Sequence, residues 1–403
     1  MNKGILFTVS LAIFIALLGI GIIIPVLPQL AVSLGASGFD LGIIIAAFSL
    51  TRGLLQPIVG SYSDRYGRKR FMALGLCAYC LVGVLIPLAT SVGNLICVRA
   101  LQGVGAAMIV PVAMAYVSSL TPAGQEGKYM GVINSAVFCG IGFGPIIGGL
   151  IFDYWGFAPV FYAMAVLAAS ALILVLSTLP PSLVVHTKQH MGILQNMGKM
   201  CRRKRSLGIL IARFATVLMI VPTMAFLPLI MAPWDKTSAL HVGIVIACRT
   251  IMNAALQIPM GAVVDRLNKV LLLIFGCLCM VSALVFIPSA KNLSTMIGLY
   301  LFLGAGESVL WPLLSAYAAE EGRTHFGHGA MMGVFNFAMS IGVFTGAIFS
   351  GVSIDKWGAG ISFYLLAAAT LVLTFYAAFL IVAGERGDKT QEQAEQRGEK
   401  AQS

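Results

Sequence analysis

Glu307, Arg52, Arg99, Arg213 and Arg249 are ionisable residues set inside runs that are otherwise apolar. A charge at the centre of a bilayer costs about 2.5–3.5 kcal/mol on insertion scales, so such groups are expected to face protein or a water-filled cavity rather than lipid. Glu307, in Gly304-Ala-Gly306-Glu307, is the only carboxylate of those runs. Burial makes a carboxyl harder to ionise and a neighbouring arginine makes it easier. A carboxyl whose neighbours alternate can therefore take a proton on one side of a membrane and release it on the other; the static alternative is a permanent Glu–Arg pair. Arg213 lies only a few residues inside its run and is expected to snorkel to the surface. Arg52 and Arg249 are deeper, and for each a cavity contact and an interhelical bond are both open. Arg52, Arg249, Gln102, Asn134, Asn336, Trp311 and Tyr317 are the candidate lining of a substrate cavity. Asn134, Asn253, Gln257 and Asn336 suit helix–helix hydrogen bonds better than ligand contacts. Trp311, Tyr317, Phe335 and Phe226 suit an apolar cavity wall, with core packing or lipid contact as the ordinary alternative.

Nothing in the chain reads as an enzyme: there is no nucleotide-binding loop, no metal-ligand cluster and no nucleophile set. His186, His190, His241, His325 and His328 fall in loops or near helix ends. Seven of the eight cysteines lie in apolar runs and Cys201 in a basic loop, so Cys77-x-x-Cys80 reads as small buried residues rather than a redox pair. No cofactor or metal is expected, and a proton gradient would supply the energy. One charge crossing ~150 mV releases about 3.5 kcal/mol, enough for a roughly several-hundredfold ratio of a neutral substrate.

The elements that must position these residues follow from composition. The chain is 59% hydrophobic and 10% charged, against about 45–50% and 25% in soluble domains. Apolar runs over 5–34, 41–62, 71–89, 95–116, 129–152, 160–179, 208–231, 241–264, 270–288, 295–317, 329–353 and 361–383 each reach the roughly 20 residues that span a bilayer as helix. The first is too long for a signal peptide and lacks a cleavage site. The expected fold is all-α and integral to the membrane, with twelve transmembrane helices. The net charge of +11 would suit nucleic acid, but only Lys236, Lys291 and Lys356 lie in loops of one side, and nineteen Lys and Arg lie on the other, including Arg202–Arg205. That asymmetry is the positive-inside rule. It places both termini and the central loop in the cytoplasm, implies a cell-membrane protein, and leaves no nucleic-acid partner.

The chain also repeats itself. Gln56, Gly60, Asp64 and Arg65 match Gln257, Gly261, Asp265 and Arg266 at an offset of 201; Gly131, Asn134, Gly144, Asp153, Trp155 and Gly156 match Gly333, Asn336, Gly346, Asp355, Trp357 and Gly358 at 202. The expected organisation is a six-helix bundle over 1–179, a basic cytoplasmic linker over 180–206, a second bundle over 207–384 and a disordered polar tail over 385–403. Parallel six-helix repeats of this kind put the substrate site near the midplane between the halves.

Three motifs carry a family resemblance. The loop after helix 2 reads Gly60-Ser-Tyr-Ser-Asp64-Arg65-Tyr-Gly67-Arg68-Lys69-Arg70, helix 4 carries Arg99-Ala-Leu-Gln102-Gly103-Val-Gly105, and helix 5 carries Gly140-x-Gly142-x-Gly144-Pro145-x-x-Gly148-Gly149. Together they resemble the major facilitator superfamily and, within it, the twelve-helix drug:proton antiporter family, over nearly the whole chain. The resemblance implies the major facilitator fold, a cavity lined by helices 1, 4, 7 and 10, and proton coupling that involves Arg99; Glu307, on the corresponding face of helix 10, is the candidate carrier of the proton. It implies a cytoplasmic gate of Gly60, Asp64, Arg65, Gly67 and Arg68, with a weaker copy at Asp265 and Arg266, in which Asp64 faces the start of helix 11 and Gly60 permits close helix approach. It implies an antiporter motif of Gly140, Gly144, Pro145, Gly148 and Gly149 that packs on helix 8. Helix 1 lacks the acid common in cationic-drug pumps, and the buried formal charge is about +3, which favours anionic, zwitterionic or neutral amphiphiles. The expected protein is a monomeric exporter of an amphiphilic small molecule in exchange for protons, in contact with membrane lipid. A proton-coupled nutrient importer and a lipid or siderophore exporter share the fold.

Overall fold

The computed structural model describes residues 3–120, 126–180, 193–234, 237–264, 266–326 and 328–402. The side chains of Asp64 and Asn134, all of Asp265, and the histidines at 186 and 190 lie outside that description. Among the described residues every regular element is helical, as a chain that must satisfy its backbone groups within lipid requires.

Crossing by crossing, helix 1 is Lys3–Ile23 with a continuation Leu27–Ser33, helix 2 Gly38–Tyr66, helix 3 Arg68–Leu85, helix 4 Val92–Leu120, helix 5 Glu126–Trp155 and helix 6 Phe157–Thr178. A short amphipathic helix, Ile193–Arg202, precedes the second half. Helix 7 comes in three pieces, Lys204–Leu218, Ile220–Met224 and Leu227–Met231; helix 8 is Ala239–Val264, helix 9 Lys269–Phe286 and helix 10 Leu293–Glu321. The last element, His328–Gln402, holds one non-helical residue, Gly358 at φ 81°.

Among the described residues eleven helices are long and apolar enough to cross a membrane, and one of them, Met331–Gly387, has 57 residues. One crossing needs about 20, so the break at Gly358 divides this stretch into helices 11 and 12. Gly156, its repeat mate, turns the chain between helices 5 and 6 with the same φ of 81°. Left-handed backbone of this kind is open to glycine at little cost. Beyond the last span the backbone continues as helix to Gln402, where the sequence pattern predicts a disordered tail. That stretch is rich in Glu and Gln, both good helix formers, and has no proline to interrupt a helix already begun.

Buried apolar side chains form two clusters. One draws its buried members chiefly from Val9 to Leu179, with Val221, Phe226 and Ala347 added, and the other from Met200 to Ile381. The halves meet along two helix pairs, 2 with 11 and 5 with 8. A Cβ on Gly42 would lie 2.5 Å from the Ala347 carbonyl, one on Gly149 2.5 Å from that of Ala239, and one on Gly142 3.4 Å from Ile251. Further along the same helices, toward the face that carries the basic loops, Gly60, Gly261 and Gly333 look into open space. The halves are therefore closed at the far face and parted at the basic face.

Candidate functional site

Glu307 sits at the middle of helix 10 and Arg249 near the middle of helix 8. Gly304, one turn before Glu307, has no side chain, and the backbone of Arg249 lies against it. That close approach brings the guanidinium across to the carboxylate. Nε of Arg249 donates to Oε2 of Glu307 at 2.9 Å and Nη2 donates to Oε1, a bidentate pair. Nη1 donates to the Thr223 hydroxyl. Arg249 is 2% exposed and Glu307 4%. Thr223 belongs to the short middle piece of helix 7. The helix breaks before Leu227-Pro228, where proline has no N–H for the Met224 carbonyl, and the Thr223 carbonyl accepts from the Tyr300 hydroxyl at 2.7 Å. Of the two readings open for Arg249, the interhelical bond is the one the structure makes.

Arg213 does not snorkel. It is 2% exposed and lies over the Trp311 ring at 4.1 Å and the Phe335 ring at 4.7 Å, with Nη2 against the Met339 sulfur. Two aromatic faces replace the hydration that the surface would give, a cation–π arrangement. Trp311, one turn along from Glu307, also meets Phe138 of helix 5 edge-on at 6.3 Å, so it touches the opposite half. Asn336 is exposed where the halves part, which suits a cavity wall. Arg52 is half-buried on helix 2, and its Nε has no partner.

Other expected cavity residues lie elsewhere. Arg99 does not reach Glu307: it donates to Gln102 on its own helix and lies over the Phe48 ring at 4.5 Å, inside the first half. Gln102 is fully buried and turns its amide to the Met164 sulfur of helix 6, so it is core and not lining. Tyr317 is buried toward the basic face, with Arg205 and Lys269 over its ring at 5.8 and 5.2 Å. These cations join Glu320, Glu321 and Arg203 in an ion-pair network. Polar groups cluster there because helix 10 runs out to water at that end.

Only part of the gate motif falls within the described side chains. Gly67 has φ 102° and makes the turn between helices 2 and 3. Arg68 donates to the Ala115 carbonyl at 2.7 Å, and Arg65 is exposed over the Tyr66 ring. Arg266 is exposed. Gly60, expected at a close helix contact, has none, because the halves are parted there. In the antiporter motif, Gly149 packs on the start of helix 8, and the Pro145 carbonyl packs against Gly243. Gly140, Gly144 and Gly148 instead face helix 1, at Leu17, Gly21 and Ile22. Residues four apart share one helix face, so this motif serves two neighbours and not only helix 8.

At the far face each half holds the other by a carboxylate. Asp355, at the end of helix 11, accepts from the backbone N–H groups of Gly38 and Phe39 at 2.7 Å each, the first residues of helix 2. Asp153, at the end of helix 5, accepts from Ala239 and Leu240 at 3.0 and 2.9 Å, the first residues of helix 8. In the sequence both aspartates stand out only as members of the repeat. A further signal lies in the pattern Ser37-Gly-Phe-Asp40, that of a capping box, which marks a helix start just where a carboxylate could meet it.

Two pseudo-symmetric helical bundles, an ion pair buried between helices 8 and 10, and an interface shut at one face only define a class: a two-bundle membrane transporter. The sequence profile of the Major Facilitator Superfamily matches residues 9–233 and 209–403, and the chain belongs to that superfamily. An uncharacterised MFS-type transporter of Methanocaldococcus jannaschii is 27% identical over 356 residues, 87% of this chain and 92% of that protein. Multidrug resistance protein 2 of Bacillus subtilis is 37% identical over 159 residues, 40% of each chain. Among solved structures, an inward-facing, unoccupied bacterial homologue of the human lysosomal transporter Spinster superposes with a TM-score of 0.74 at 15% identity, covering 96% of this chain and 98% of that one.

Proposed function

We propose that this protein is a proton-coupled exporter of amphiphilic small molecules that works by alternating access in the cytoplasmic membrane, with both termini inside. The observation that carries the reading is the buried Arg249–Glu307 pair, a carboxylate held by two guanidinium donors at mid-depth. A proton added to an Oε of Glu307 turns the carboxylate into a neutral acid and leaves Arg249 without its anionic partner. An uncompensated buried charge is costly, so protonation favours whichever arrangement lets water or a substrate acceptor reach the guanidinium. Proton occupancy is thereby tied to the position of the halves. The parting at the basic face, which the positive-inside rule makes cytoplasmic, is where such a carrier would meet its cargo. The likeness over part of the chain to a protein named for multidrug resistance supports a drug-like cargo.

The test is reconstitution in liposomes with an imposed pH gradient and a panel of cationic, neutral and anionic amphiphiles. The expected result is substrate movement against its gradient coupled to opposite proton flow, abolished by Glu307→Gln. Substrate and proton moving in the same direction would replace the exporter by an importer. A Glu307→Gln protein that still pumps, with unchanged pH dependence, would remove the proton role.

A further inference from the structure

The far face is shut by a device built twice. Ser37 is the N-cap of helix 2: its hydroxyl accepts from Asp40 N–H, and the Asp40 carboxylate accepts in return from Ser37 N–H. Ser238 stands at the same place before helix 8, with its hydroxyl accepting from His241 N–H at 3.3 Å and the His241 ring nitrogen accepting from Ser238 N–H at 3.1 Å. The two serines are repeat mates at the offset of 201. In each case the cap satisfies one of the orphan N–H groups that begin a helix and leaves the first two unmet. Those two are met from the other half, by Asp355 at helix 2 and by Asp153 at helix 8. The contacts are reciprocal: each half gives one carboxylate and receives one. Beside them Gly351 lies on the Gly38 backbone and Gly149 on the Ala239 backbone, so the helices approach without a side chain between them.

We propose that Asp153 and Asp355 are the outer gate, two positioning residues that hold the transporter closed at the far face and that must release both helix starts before the far face opens. A carboxylate on a helix N-terminus gains from hydrogen bonds to an anion and from the helix dipole. Opening strips four N–H groups of these acceptors and gives them to water, so the gate weights the equilibrium toward the arrangement parted at the basic face. The repeat has kept Asp-x-Trp-Gly at both positions, Asp153 to Gly156 and Asp355 to Gly358. The Trp-Gly turn fixes where each carboxylate stands, because the glycine that follows ends the helix at φ 81°.

The test measures distances between nitroxides at Val32→Cys and Lys291→Cys, exposed positions on the far ends of opposite halves, by pulsed electron resonance in lipid nanodiscs. Losing a helix cap costs about fivefold in an equilibrium, and separate sites add in free energy. Asp153→Ala and Asp355→Ala are each expected to raise the open-to-closed ratio about fivefold, and the double variant about 25-fold. Ser37→Ala and Ser238→Ala remove caps that do not cross between the halves. They should lower the melting temperature without moving the distance distribution, which separates gating from mere stability. If an alanine variant fails to fold, Asn, which keeps one acceptor, should move the ratio in the same direction by a smaller factor. A folded double variant with the parent's distances would overturn the gate. The gate rests on alternating access, and the two fail differently. Were no protein to open at the far face under any substrate or pH, alternating access would fall. Were the parent to open while the aspartate variants matched it, only the gate would.

Discussion

Gly140, Gly144 and Gly149 of helix 5 have repeat mates in Gly342, Gly346 and Gly351 of helix 11, and the contacts are the same. The first two of each set pack on the first helix of their own half, and the third packs on a helix start of the other half. The cores of the halves have diverged. In the first, Arg99 of helix 4 lies over Phe48 of helix 2. In the second, the mate of Arg99 is Tyr300 and the mate of Phe48 is Arg249, so arginine and aromatic have changed places. There Arg249 meets Glu307, whose mate in the first half is Ala106. What closes the interface is present in two copies, and what can hold a proton in the core is present in one. A rocking motion needs both halves to grip and let go, whereas a coupling site needs only to sense which arrangement is in force.

The sharpest way to break this contrast is to remove one arginine from each core. Arg249→Met should destabilise the protein by about 3–5 kcal/mol, the cost of stranding a buried partner charge, read as a large fall in melting temperature. Adding Glu307→Gln should recover most of it. Arg99→Met leaves only neutral Gln102 and an aromatic face, and should cost about 1–3 kcal/mol. Equal losses from the two arginines would end the distinction between the cores. The duplicated contacts predict the opposite pattern. Gly149→Val and Gly351→Val wedge matching positions, so each should favour far-face opening by a similar factor, about tenfold if the strain is near that of an overpacked core. Accessibility of a far-face cysteine to an impermeant maleimide reads this, and an effect confined to one variant would show that the halves do not grip alike. The smallest effect is expected at Lys269→Ala. It loses a partly exposed bond to Glu320 at 2.8 Å and should cost less than about 1 kcal/mol, visible only in careful melts.

Much of the fold is legible in the amino-acid sequence because lipid leaves so few choices: a run of about 20 apolar residues is a crossing. The break at Gly358 and the turn at Gly67 follow from glycine in otherwise regular patterns. The repeat offset pairs the helices correctly. Arg213 departs from its expected surface position because depth along a helix says nothing about which way a side chain turns, and two aromatic rings from helices 10 and 11 decide it. Tyr317 and Gln102 have the chemistry of cavity residues, but each faces neighbours within its own half. Glu307 stands out because an acid in an apolar run has no cheap explanation. Its partner does not, since three other arginines have equal claim.

Composition and periodicity by themselves determine the helices, the duplication and the uneven division of basic loops, because each follows from transfer costs that act residue by residue. Tertiary structure alone decides that Arg249 holds Glu307, that Arg213 is sheltered by rings, and that two aspartates reach across to cap helices of the opposite half. These depend on the rotation of one helix against another. A few glycines and prolines set that rotation through packing, and no single residue's chemistry announces it.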